Sequence, residues 1–263
     1  MPGNDLLVLD RLHKRFGGLT VIGDVGFAIE AGSRVALIGP NGAGKTTLFN
    51  LISGIYPLDE GSITLAGKRI DALPVRSRVR AGLSRSFQNI RLMPHLSVVE
   101  NVMLGQHVQA SSLLDLAMPI GWMPGNRWRR MAEARLAEAG IDVDPDAEVS
   151  GLPYGIRKKI EVVRALMSSP RVLMLDEPAA GLNPRETAEL SAFLKGIASD
   201  GLTLLVVEHD MAFVHDLCTR TVVLNFGRLI YDGPTAGVQD DPDVREAYLG
   251  TRRVAGQEAG HAA

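Results

Sequence analysis

The sequence predicts an α/β protein: a mixed, mainly parallel sheet with helices on its faces, an N-terminal antiparallel β subdomain, and a helical stretch at the centre of the chain. Three observations lead there. From residue 172 onward, strand and helix patterns alternate: Val172 to Leu175 (strand), Pro184 to Ser199 (helix), Leu202 to Val207 (strand), Met211 to Leu217 (helix). Such alternation argues for parallel strands connected by helices. Near the start, Leu6 to Ile29 alternates short apolar stretches with turn glycines at Gly17, Gly18 and Gly23, the pattern of antiparallel strands. Between these regions, Arg34 to Ile38 reads as a buried strand that runs through a glycine-rich string into a helix.

Taken in order, the helix after that string covers Thr46 to Ser53, with Leu48, Leu51 and Ile52 at helical spacing and Gly54 and Pro57 as stop signals. Ser62 to Leu65, followed by Gly67, is a further hairpin element. Leu83 to Phe87 is another short segment, and Leu96 to Met167 turns helical, with Asn126 to Gly140 the clearest helix by composition. Ile156 to Met167 carries the apolar stripe Ile156, Ile160 and Val163. Thr251 to Ala263 is small and polar and is expected to fray as a tail.

Composition narrows the function classes. A chain of 263 residues can bury a sizeable core as one large domain or two small ones. A net charge of −2 gives no support for a nucleic-acid binder, which usually shows a basic bias. The lone cysteine, Cys218, excludes an internal disulfide and fits a reducing compartment. Met1 to Asp10 has no basic start and does not read as a signal peptide. No apolar run approaches the roughly 20 residues that span a bilayer. Leu113 to Met123 comes nearest and is broken by Asp115, Pro119 and Gly121. A cytosolic chain that meets any membrane through a partner is expected.

The string Gly39, Pro40, Asn41, Gly42, Ala43, Gly44, Lys45, Thr46, Thr47 fits G-x-x-x-x-G-K-[ST] between a strand and a helix. The glycines let successive N–H groups turn inward toward phosphate oxygens, and the helix aims its positive end at the same anion. Lys45 is expected to reach the β- and γ-phosphates, Thr46 to ligate Mg²⁺, and Thr47 to meet the α-phosphate. Further along, Val172 to Leu175 delivers Asp176 and Glu177 at a strand's C-terminal end, where ligands of open α/β sheets bind. Asp176 is placed to hold Mg²⁺ through water, and Glu177 to polarise an attacking water as general base. His209, beyond a second apolar strand, is a candidate for orienting that water at the γ-phosphate, and Gln88 for a polar contact to metal or water.

Together these stations resemble the ATP-binding subunits of ABC transporters. The matching pieces are Gly39 to Thr47, Ser86 to Asn89, Leu152 to Ile156, Leu173 to Pro178, Gly181 to Pro184 and Glu208 to Asp210, in the family's order and over about residues 5 to 250. Finer features resemble the ATPases of branched-chain amino acid importers: Lys14 to Leu19, Phe87 to Leu92, Glu177 to Pro184 and Asp241 to Gly250. Lipopolysaccharide-export ATPases share several of them. Soluble ABC-type ATPases often carry long coiled coils, fused cassettes or basic extensions, none of which is seen in this sequence.

The resemblance implies a P-loop, RecA-like core with a helical signature subdomain over about 90–167, all within one ATP-binding domain of residues 1–250, followed by a flexible tail of 251–263. It implies ATP and Mg²⁺ as ligands, and hydrolysis by Glu177 with His209 as the γ-phosphate switch. Phe16 matches the aromatic that stacks on adenine, and Gln88 the link from the γ-phosphate site to the membrane subunits. Leu152, Pro153, Tyr154 and Gly155 match the signature loop, which completes the nucleotide site of a second, homologous or identical ATPase subunit. Two permease subunits and, indirectly, an extracytoplasmic solute-binding protein complete the implied assembly at the cytoplasmic face of the cell membrane, with no nucleic acid. The signature loop departs from the family's Leu-Ser-Gly-Gly-Gln. Pro153 removes a hydroxyl and an N–H, and Ile156 removes an amide. Arg157, Lys158 and Lys159 add charge within a turn of the helix start, or form a solvated face.

Overall fold

The computed structural model describes residues 4–86, 91–108 and 127–248. Two sheets organise it. The first is antiparallel, in the order β2-β1-β4-β5, from β1 (Asp5–Phe16), β2 (Leu19–Glu30), β4 (Glu60–Leu65) and the two-residue β5 (Lys68–Arg69). The second has the order β10-β9-β3-β8-β7-β6, from β3 (Arg34–Ile38), β6 (Leu83–Arg85), β7 (Val172–Asp176), β8 (Thr203–Val207), β9 (Arg220–Asn225) and β10 (Arg228–Pro234). All its pairings are parallel except that of β9 with β10.

The parallel strands are buried on both faces, and their alternation assigns each residue to one of two cores. Val35 and Leu37 of β3, Met174 of β7, Leu205 of β8 and Val222 of β9 face the antiparallel sheet and helix α1 (Lys45–Ser53). Ala36, Ile38, Leu173, Leu175, Leu204 and Val206 face the other way, onto α6 (Pro184–Ala198) and α7 (Met211–Leu217). A third core, around Val102, Trp128, Leu136, Ile160 and Val163, holds together α3 (Val98–Met103), α4 (Arg127–Glu138) and α5 (Tyr154–Leu166).

The helix ends have local causes. Ser97 and Glu100 form a reciprocal capping box at the start of α3, and Asn183 and Glu186 form another at α6, where Pro184 occupies the first turn. Gly54 ends α1 in the left-handed conformation, at φ 82°. Arg78, in the short α2 (Val75–Arg80), then donates from Nη1 to the Leu51 and Ile52 carbonyls at 2.6 and 2.8 Å. A buried cation thus satisfies the negative end of the very helix that follows the glycine string.

Most strand and helix limits agree with the sequence reading to within two residues, and three points differ. Gly23 is no turn: it lies inside β2, beside Asp24 at φ 59°, where the β1–β2 register shifts and its N–H reaches the Gly227 carbonyl at 2.9 Å. Helix α5 begins at Tyr154, so Tyr154 and Gly155 belong to its first turn rather than to the loop before it. The β9–β10 hairpin was not anticipated, although the apolar run Val222 to Leu224 before Asn225-Phe226-Gly227 has a hairpin's pattern. Leu113 to Met123 and the tail from Thr251 lie outside the described residues, among which no helix is long and apolar enough to cross a membrane.

Candidate nucleotide site

Adjacent parallel strands β3, β8 and β7 end at one edge, so the glycine string, Asp176-Glu177 and Glu208-His209 are delivered side by side. The string itself is held by close backbone packing. A Cβ on Gly39 would stand 2.2 Å from the Leu224 carbonyl oxygen, and one on Gly44 (φ 100°) 2.9 Å from Ile22 Cδ1. The Gly227 N–H donates to the Ala43 carbonyl at 2.9 Å, so the β9–β10 turn braces the string from behind. Tyr248, whose phenol is pushed up by burial, faces the Gly39 N–H.

Gly44 is the cap of α1 and offers no side chain to its first turn, whose N–H groups have no intrahelical acceptors. Lys45 folds back over the loop, donating from Nζ to the Gly39 and Pro40 carbonyls at 2.6 and 2.9 Å. Burial lowers its pKa, and the nearby Glu177 carboxylate acts in the opposite direction. An uncapped helix start with a half-buried ammonium beside it fits a phosphate chain. For the metal, Thr46 is exposed on the first turn of α1 and Asp176 is a buried strand-end carboxylate. Among the described residues no three His, Cys, Asp or Glu side chains gather as a cage. That donor set fits Mg²⁺, which is usually held by one or two protein oxygens together with phosphates and water.

Glu177 sits at φ 47°, a costly conformation for a non-glycine residue, with its N–H donated to Val207 O at 2.9 Å. Glu208 is buried and accepts from the Ala179 and His209 N–H groups at 2.8 and 3.0 Å, tying the turn after β7 to the turn after β8. Its pKa is raised by burial, with the backbone donors opposing. His209 is largely exposed, and Asp210 caps α7 by accepting from the Ala212 and Phe213 N–H groups. Phe16, at the hairpin end of β1, is 43% exposed; it meets Tyr56 in a T-shaped pair at 5.2 Å, and Lys14 Nζ lies over its ring at 5.4 Å from the centroid.

The residues matched to the signature loop lie elsewhere, at the start of α5. Leu152 packs on the helical core and Pro153 is the cap, with no side-chain hydrogen bond to the first turn. Tyr154 lies against Gly181, and Gly155 against Glu186 of α6. Lys158 is only 4% exposed, so it is not part of a solvated face; burial lowers its pKa against the pull of Glu161, Glu208 and Glu177. Gln88 lies outside the described residues. Two contributors were missed from sequence. Glu208 acts as a backbone acceptor, a role no motif announces. Arg85, a lone cation in the short strand Leu83-Ser84-Arg85, is ion-paired to Asp176 at 2.6 Å.

A glycine loop opening a helix, a lysine on that loop and carboxylates at a neighbouring strand end define a P-loop nucleotide triphosphatase. Comparison with known proteins places the chain further. Residues 22–180 match the family model described as ABC transporter, and residues 228–254 the model described as branched-chain amino acid ATP-binding cassette transporter. The chain is 39% identical over 249 residues to the high-affinity branched-chain amino acid transport ATP-binding protein BraF of Pseudomonas aeruginosa, covering 93% of this chain and 98% of BraF. It is 36% identical over 253 residues to the corresponding protein LivG of Escherichia coli K12, at the same coverage. A crystal structure of an ABC transporter's ATP-binding cassette in its ADP conformation superposes with a TM-score of 0.82 at 28% identity, covering 94% of this chain and 99% of that one. A nucleotide-free cassette gives 0.81 at 27%, covering 93% and 98%. The chain belongs to the ABC transporter ATP-binding family, in the branch of the branched-chain amino acid transport ATPases. It binds nucleotide and is an ATPase, as members of that family are.

Proposed function

We propose that the chain is the motor of an importer for branched-chain amino acids or related small polar solutes. Residues 1–250 act as one ATP-binding domain, with a helical subdomain over about 90–167 and a tail from 251. Phe16 stacks on adenine, and Gly39 to Thr47 hold the triphosphate, with Lys45 on the β- and γ-phosphates. Thr46, Asp176 and Gln88 would hold Mg²⁺, which when bound offsets charge on the β- and γ-phosphate oxygens. Glu177 takes the proton from a water as its oxygen bonds to the γ-phosphorus and the bond to the ADP oxygen breaks, while His209 orients that water.

Leu152 to Gly155 face the nucleotide of a second ATPase subunit, homologous or identical, so that ATP lies between two chains. Two permease subunits receive the movement, a solute-binding protein delivers cargo outside, and the chain sits peripherally at the cytoplasmic face. Closure draws on ATP's tighter binding to the closed dimer. The observation that carries the reading is the juxtaposition of Lys45 and Glu177 at the edge of β3, β8 and β7.

The test is uptake of labelled leucine by cells lacking other leucine systems and carrying wild type or Lys45→Ala. Loss of uptake at unchanged protein level is expected. Undiminished uptake removes leucine as the cargo and directs the search to urea, amides, aromatic acids or export.

A further inference from the structure

Asp176, the expected metal ligand, does not stand alone at its strand end. Arg85, the last residue of β6, donates from Nη2 to Asp176 Oδ2 at 2.6 Å and from Nη1 to Asn50 Oδ1 at 2.7 Å. Ser53 Oγ is 3.3 Å from the same Nη1, and the Phe49 ring centroid lies 5.4 Å from the guanidinium carbon. Asn50, Ser53 and Phe49 all belong to α1, the helix that the glycine string opens. One guanidinium therefore joins β6, β7 and the phosphate-binding helix. Both side chains of the ion pair are only 10% exposed.

Arginine suits this position because its planar fork can serve two acceptors at once and it stays charged when buried. The physical need is clear on both sides. A buried carboxylate without a counter-charge is strongly destabilising. One lying beside a triphosphate site also repels the incoming anion, and the low local dielectric amplifies that repulsion.

We propose that Arg85 is a positioning residue of the nucleotide site: it clamps the Asp176 carboxylate to α1 and supplies its counter-charge while no metal is present. The proposal rests on the ATP-binding reading above and adds to it a division of labour. Arg85 makes Asp176 tolerable to metal-free nucleotide, and Mg²⁺ competes with Arg85 for the same carboxylate. Removing the guanidinium should then weaken metal-free binding while leaving Asp176 more available to the metal. Both effects make nucleotide binding more dependent on Mg²⁺.

The test is the affinity of the full chain for a non-hydrolysable imido analogue of ATP, measured by titration calorimetry in excess EDTA and again in Mg²⁺. Wild type, Arg85→Met, Asp176→Asn and the double variant are compared, with circular dichroism melts confirming folding. The ratio of the EDTA Kd to the Mg²⁺ Kd should rise roughly tenfold in Arg85→Met. In the Asp176→Asn background the same substitution should change that ratio by less than about threefold, because the charge it served is gone. Equal weakening with and without metal, or an undiminished effect in the Asn background, overturns the proposal and leaves Arg85 a structural residue. Should Arg85→Met not fold, Arg85→Gln keeps an amide donor toward Asn50 without the charge and must give the same rise. Absence of binding by wild type in EDTA alone also overturns the proposal, whereas absence in both conditions would instead sink the ATP-binding reading itself.

Discussion

Two helix starts carry the nucleotide chemistry expected of this chain, and they are built differently. The start of α1 is complete within one molecule. Left-handed Gly44 caps it without a side chain, Lys45 curls over it, and the β9–β10 turn braces it through Ala43 and Leu224. The start of α5 is also without a side-chain cap, but Pro153 stands there, and Tyr154 and Gly155 rest on Gly181 and Glu186 of the turn and helix that follow β7. Nature's usual remedy for a bare helix start is a Ser, Thr, Asp or Asn, as at α3, α6 and α7 of this same chain. At α1 and α5 the remedy is withheld, which leaves backbone donors for a ligand. The difference lies in what accompanies them: α1 has the candidate catalytic side chains beside it, and α5 has packing on Gly181 and Glu186 and a buried Lys158 that feels the Glu177 and Glu208 carboxylates.

The comparison can be broken first at the catalytic side. Glu177→Gln should lower ATP turnover by about 10²–10⁴-fold, the range for loss of a general base, while nucleotide binding persists; comparable losses of both would show that Glu177 holds the site rather than acting in it. Next comes the cradle. Gly44→Ala forces a Cβ to within 2.9 Å of Ile22 Cδ1 at a φ of 100°. A strain of about 1–3 kcal/mol is expected, read as a lower thermal midpoint together with weaker ATP binding in a fluorescence titration.

At α5 the effects should be smaller. Pro153→Ser returns a capping hydroxyl and should raise stability by about 0.5–1 kcal/mol in urea melts. If Pro153 makes the site completed by this loop the slower of two in an assembled dimer, the Ser variant should also raise ATPase activity. Replacing the catalytic glutamate of each site separately sharpens this further, since equal losses of turnover would mean that the two sites contribute equally.

The smallest effect concerns the core behind both starts. Burial pushes the Cys218 thiol up to about 12, so almost no thiolate exists at pH 8. Alkylation by iodoacetamide should therefore be slow in the native chain and should track unfolding. Rapid labelling of folded protein would mean that the sheet face under α7 opens. Burial likewise raises the Glu161 and Glu208 pKa values. Between the unfolded and folded values the native state holds more protons, so these groups favour folding at low pH and that contribution is lost as pH rises through the folded values. Glu161→Gln should flatten this part of the stability profile in melts taken between pH 4 and pH 8.

By itself the sequence determined what is local. Gly39 to Thr47, the apolar strands ending at Asp176 and before Glu208, and the helix limits of α6 and α7 are written in neighbouring residues, because turn conformation, burial period and capping act over a few positions. It was equally sufficient for family resemblance, since the stations fall in one order along the chain. What only the tertiary structure decided is which distant charges meet. Arg85 and Asp176 are 91 residues apart, and the carbonyls that Arg78 satisfies on α1 are 26 and 27 residues before it. Lys158, one of three consecutive cations, is the buried one only because α5 lies against the turns after β7 and β8. A charged side chain has no periodic signature; its partner is fixed by sheet order and helix packing, which bring it out of water and make pairing obligatory.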